Sequence, residues 1–105
     1  MADSFKINRE SAADGTVVLL RLTGELDINA RDDLRDTFRS ALDDGAADIV
    51  VDLGGVTFLD SEALGGLIDG YNAAQARTVG FRVVNARGLV DRVLSVSGAL
   101  DLFGA

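Results

Sequence analysis

The sequence predicts an α/β protein, one domain over residues 1–105, in which a mixed sheet of four to five strands carries helices in the order β-β-α-β-α-β-α. Three observations lead there. Short β-branched or apolar runs alternate with longer stretches whose apolar residues recur at helical spacing. Turn-forming and capping residues mark most of the junctions. The 105 residues suffice for one core and not for two independently folding units. Apolar residues at 48% and charged residues at 26% describe a globular chain able to fold on its own.

Residues 5–10 alternate apolar and polar, residues 16–23 form a β-branched run, and Asp14-Gly15 supplies turn chemistry between them. These predict a hairpin. Asn29 is placed to cap a helix carrying Ala30, Leu34, Phe38, Ala41 and Leu42, which Gly45 stops. Residues 48–53 form a continuous apolar run, as expected of a central strand covered on both sides. After a loop over residues 54–59, Leu64, Leu67, Ile68, Tyr71 and Ala74 predict a second helix that starts at Asp60 or Ser61 and runs to about Arg77. Residues 81–84 read as a strand, and Asn85 as the cap of a third helix that carries Leu89, Val90, Val93 and Leu94 and ends near Gly98.

Composition removes several kinds of chemistry. With no cysteine and no histidine, there is no thiolate nucleophile, no Ser-His-Asp triad, no disulfide and no Cys/His zinc site. The acidic residues show no EF-hand spacing, so neither a metal nor a cofactor is expected, and the chain is read as a non-enzyme. The net charge of −7 resides in residues 1–60, with six basic and thirteen acidic groups; residues 61–105 have four of each. Such a surface disfavours nucleic acid and anionic membranes and favours a partner with a basic face. The Met-Ala-Asp-Ser-Phe-Lys start shows no signal-peptide pattern and no apolar run approaches about 20 residues, so a cytoplasmic protein is expected.

In parallel sheets, partners meet the loops at the carboxyl ends of strands, where the next helix presents free N–H groups and the positive end of its dipole. The 48–53 strand leads its chain to Asp60-Ser61 at such a helix start. A serine there either caps the helix or offers an exposed hydroxyl whose phosphate the nearby N–H groups tolerate. Gly65-Gly66 lacks a following Lys-Ser/Thr and falls within a helical pattern, so helix–sheet packing explains it better than phosphate binding. Tyr71 is at a core position, and Asp32-Asp33 is a solvated helix start.

The stretch from Val51 to Gly65, VDLGGVTFLDSEALG, closely resembles the phosphorylation loop of bacterial anti-sigma factor antagonists, single-domain members of the STAS family. Leu22 to Asp27 (LTGELD) resembles that family's corresponding turn and Leu94 to Gly98 its closing helix, so the likeness spans residue 5 to about 103. The resemblance implies partner switching. The unphosphorylated chain binds an anti-sigma factor that is also a serine kinase, and sigma factor is released. The kinase, which holds the ATP, phosphorylates Ser61 and ends the contact, and a phosphatase resets it. Asp27, Asp60, Ser61, Glu62, Leu64 and Gly65 form the implied docking face, with Asp60 orienting the hydroxyl, meeting a basic group or capping the helix.

Glu62 and Ala63 depart from the Ser/Thr-Gly usual in that family, placing a permanent charge beside the phosphoacceptor and a methyl where glycine permits close approach. The family also commonly continues past the position of Phe103, so an absent or shortened edge element is expected. Two alternatives remain. One is a constitutive STAS-type scaffold, in a sensory assembly or beside a lipid transporter, with Ser61 unmodified. The other is a receiver-like domain phosphorylated on Asp52, which the lone Lys6 and the missing acidic pair disfavour.

Overall fold

Asp14 and Gly15 both take positive φ, 61° and 86°, which reverses the chain between two antiparallel strands, β1 (Phe5–Ala12) and β2 (Val17–Leu26). The computed structural model describes residues 5–103. The chain continues through α1 (Arg31–Asp43), β3 (Asp48–Leu59), α2 (Ser61–Ala76), β4 (Gly80–Val84), α3 (Gly88–Ser97) and α4 (Ala99–Leu102). β2 pairs with β3 and β3 with β4 in parallel, giving a mixed four-stranded sheet in the order β1-β2-β3-β4. Element order and parallel centre agree with the sequence reading. The short α4, entered at Gly98 with φ 81°, was not expected.

Helices cover one face of this sheet. Val18, Leu20 and Leu22 of β2 and Ile49, Val51 and Leu53 of β3 share one core with Leu34, Phe38, Leu67, Val90 and Leu94 from the helices. On the opposite face Arg21 of β2 pairs with Glu10 of β1 and, at 3.7 Å, with Asp52 of β3. The expectation that residues 48–53 are covered on both sides is therefore corrected. β3 alternates, with Val50 and Asp52 only half-buried.

The expected loop over residues 54–59 is corrected as well, since β3 runs on to Leu59. Cα partners pass from Arg21↔Asp52 to Thr23↔Gly55, and from Gly24↔Val56 to Glu25↔Phe58. Each step inserts one residue more in β3 than in β2, which is a β-bulge. The inward side chains accordingly change spacing, from every second residue (Ile49, Val51, Leu53) to every third (Leu53, Val56, Leu59). Gly55 allows the first bulge to close, because a Cβ there would lie 2.7 Å from Thr23 Cγ2. The Gly54 N–H folds back onto Asp52 Oδ1 at 2.8 Å.

The glycines of α2 face α1, not the sheet as the sequence reading had it. A Cβ at Gly66 would lie 3.4 Å from Leu34 Cδ1, and one at Gly70 would strike the Phe38 ring. The bare α2 backbone lets the two helices approach closely. Phe38, Tyr71, Phe81 and Phe103 close the core at one end, with ring centroids 5.4–5.9 Å apart. Asn85 does not cap α3. It has φ 63° and its Nδ2 donates to Asp52 Oδ1 at 3.2 Å, while α3 begins after Arg87 without a side-chain cap.

Candidate functional site

β2 and β3 end together. Leu26 and Leu59 are paired, and the Asp60 N–H donates to the Leu26 carbonyl at 3.1 Å, so the next residues, Asp27 and Asp60, leave the sheet side by side. Both turn into caps. Asp60, in extended conformation (φ −95°, ψ 178°), accepts the Ala63 N–H on Oδ1 at 2.9 Å and starts α2. Asp27 accepts the Asn29 N–H on Oδ1 at 2.9 Å and starts a single 3-10 turn, Ile28–Ala30, that leads into α1. The cap assigned to Asn29 is thus corrected: Asp27 caps the 3-10 turn, and α1 itself starts after Ala30 without a side-chain cap.

Ser61 is the first residue of α2 and is exposed. Among the described residues its hydroxyl has no hydrogen-bond partner, since Asp60 has already taken the capping bond. The free first-turn N–H groups and the positive dipole end favour an anion at this position. A hydroxyl that is neither buried nor needed as a cap can be esterified without disturbing the core.

Glu62 is not a free charge. Its Oε1 accepts from Arg31 Nη1 at 2.8 Å, and Arg31 Nη2 reaches Asp69 Oδ2 at 3.1 Å, so one guanidinium from the start of α1 bridges two carboxylates of α2. These hydrogen bonds, Glu62 first and Asp69 second, raise the Arg31 pKa above its ordinary value. The guanidinium stays charged. It lies across Gly65, where a Cβ would stand 3.2 Å from Nη1.

Leu64 requires a correction. It was expected on the docking face, but it is 8% exposed and faces the core, because it falls on the buried side of α2 with Leu67. Gly65 is half-buried beneath Arg31. Ala63, the other departure, is fully buried, so its methyl adds to the core and contributes nothing to the exposed surface. Asp27, Asp60, Ser61 and Glu62 are brought to one end of the sheet as expected.

Three residues escaped the sequence reading. Ile28 is 61% and Phe58 39% exposed, adjacent to Asp27 and two residues before Asp60. Arg31 is the third, and its signal was available as the only cation between Glu25 and Asp33. Among the described residues no group of three acidic side chains is placed to hold a metal ion, and no helix is long and apolar enough to cross a membrane.

A mixed four-stranded sheet with helices on one face, in this order of elements, is the SpoIIAA-like form of the α/β class. The chain belongs to the STAS domain family, whose model, described as "MlaB, STAS domain", matches residues 10–103. An anti-sigma factor antagonist from Mycobacterium paratuberculosis is 28% identical, with TM-score 0.82 over 95% of this chain and 83% of that one. The anti-sigma factor antagonist SpoIIAA in its unphosphorylated form is 23% identical, with TM-score 0.78 over 92% of this chain and 84% of that one. The phosphorylated form of SpoIIAA, a Bacillus cell fate determinant, is 23% identical, with TM-score 0.71 over 93% and 87%. The SpoIIAA likenesses establish the shared fold.

Proposed function

We propose that the chain is a non-enzymatic anti-sigma factor antagonist of the cytoplasm, switched by phosphorylation of Ser61. In its unphosphorylated state it docks on an anti-sigma factor that is also a serine kinase, and sigma factor is freed. In the switching step the Ser61 Oγ–P bond forms as the γ-phosphate's bond to ADP breaks, and the hydroxyl proton passes to a base of the kinase. A phosphatase hydrolyses the ester and restores the hydroxyl. The observation that carries this reading is the exposed Ser61 hydroxyl, without a partner among the described residues, directly after the Asp60 cap. The name of the mycobacterial relative supports it.

Phosphorylation adds about −1.5 to −2 charges at neutral pH. A dianion between Asp60 and Glu62 brings like-charge repulsion and a desolvation penalty to the docking face. A loss of about 3 kcal/mol weakens binding roughly 150-fold. The test mixes the chain with a candidate kinase and Mg-ATP and follows intact mass and complex formation beside Ser61→Ala. One phosphate on the parent and none on the variant, with loss of the complex, is the expected result; equal phosphate on both removes Ser61 from the switch.

The second reading is a constitutive STAS-type scaffold or regulatory subunit, in a sensory assembly or beside a lipid transporter, with Ser61 unmodified. The match of the STAS domain model over residues 10–103 supports this reading as much as the first. In that case Ser61→Ala and Ser61→Asp retain the same partner with equal affinity.

A further inference from the structure

We infer that Arg31 is a phosphate-receiving site built into this chain: when Ser61 carries a phosphate, the Arg31 guanidinium exchanges Asp69 for the phosphate oxygens. The inference rests on the functional reading above and specifies how the modified site is held.

Ser61, Gly65 and Asp69 are four residues apart along α2 and so form one row on its surface, with neighbouring Cβ positions about 5–6 Å from each other. Arg31 reaches into that row from α1. Its Nη1 would be 3.2 Å from a Cβ on Gly65, so the guanidinium occupies the space that a side chain at position 65 would fill. It sits one helical turn from Ser61, held at 2.8 Å by Glu62, the residue next to Ser61, and at 3.1 Å by Asp69, two turns away.

Two of the five guanidinium N–H donors suffice for these bonds, which leaves donors for a third acceptor. Asp69 is 60% exposed, so releasing it returns a carboxylate to water at little penalty. A phosphate dianion can take two parallel N–H donors from one guanidinium, a stronger arrangement than a single contact with an exposed carboxylate. Glycine at 65 leaves the guanidinium a clear path along the helix toward residue 61. The nearby Arg35 is engaged by Asp32 and Asp36, and Arg77 by Asp43. Arg31 is therefore the arginine aligned with the modified position. The exchange draws α1 and α2 together at their N-terminal ends and brings Glu62, the guanidinium and the phosphate into one cluster on the docking face.

The test uses the full chain with phosphoserine installed at position 61 during translation, and reads the phosphorus NMR titration of that group at low ionic strength. The phosphoserine is expected to titrate at lower pH in the parent than in Arg31→Gln, and at an intermediate pH in Arg31→Lys, which retains the charge without the paired donors. Asp69→Asn should lower the midpoint further when Arg31 is present and have a smaller effect beside Arg31→Gln, a coupling that loss of a distant negative charge alone does not produce. A midpoint unchanged by Arg31→Gln overturns the inference. Should that variant fail to fold, a midpoint unchanged by Arg31→Lys does the same. Because the phosphate is installed directly, failure here is distinct from failure of a kinase to modify Ser61, which would sink the functional reading instead.

Discussion

The Asp60 carboxylate accepts the Ala63 N–H at 2.9 Å, and this one bond opens α2 without drawing on the intervening Ser61 hydroxyl. Capping and charge are thus combined in one residue, and they can be separated. Asp60→Ala should destabilise the fold by about 1 kcal/mol, whereas Asp60→Asn, an equally good cap, should leave stability near the parent value. Urea denaturation reads both. If Asp60→Asn nevertheless loses partner affinity, the carboxylate charge serves the contact as well as the helix.

Gly55 should not tolerate a side chain. Gly55→Ala places a methyl 2.7 Å from Thr23 Cγ2, and destabilisation of about 1–3 kcal/mol is expected. Thr23→Ser deletes the opposing methyl and should recover much of the loss. Chemical denaturation of the two single variants and the double variant gives the coupling, and additive effects would show that the clash lies elsewhere.

Alanine at Gly70 and at Gly65 should differ in effect although both glycines lie on the α1 side of α2. At 70 the obstacle is the buried Phe38 ring, which cannot withdraw, so a loss of at least about 1–3 kcal/mol is expected. At 65 the obstacle is the end of the flexible Arg31 side chain, which can give way, and the residue gains helix propensity. Thermal unfolding should rank Gly70→Ala well below Gly65→Ala.

Ile28 and Phe58 are exposed apolar residues close in sequence to the two capping aspartates, and apolar residues with charged neighbours are what the centre of a protein contact requires. If the proposed function holds, Ile28→Ala and Phe58→Ala should each weaken binding of the kinase partner by roughly tenfold or more while leaving the urea midpoint nearly unchanged. Calorimetric titration of both variants is the measurement. Parent-like affinity in both would move the contact away from this end of the sheet.

Much of the fold was legible because the controlling signals were local. The Asp14-Gly15 turn, the helical spacing of Leu64, Leu67 and Tyr71, and the position of Ser61 at a helix start each follow from a few neighbouring residues. The second half of β3 was hidden because bulges replace two-residue alternation by the three-residue steps Leu53, Val56 and Leu59. Asn29 and Asn85 satisfied capping rules, but one is preceded by the better placed Asp27 and the other is drawn to Asp52 with positive φ. Arg31 is separated from Glu62 by thirty-one positions, and only the packing of α1 on α2 brings them together. Leu64 was assigned to the partner face by resemblance, and its burial beneath that face depends on the same packing.

Twelve residues of β3 run beside ten of β2, and the two supernumerary residues are slack stored in the strand. A single-residue deletion between Leu53 and Leu59 could be absorbed by straightening one bulge, so the chain should still fold. Leu59 would then remain paired with Leu26, and Asp60 and Ser61 would keep their place beside Asp27. The two bulges therefore act as a buffer: loss of one residue from β3 leaves the serine level with Asp27, and only a loss beyond the two extra residues would draw it back.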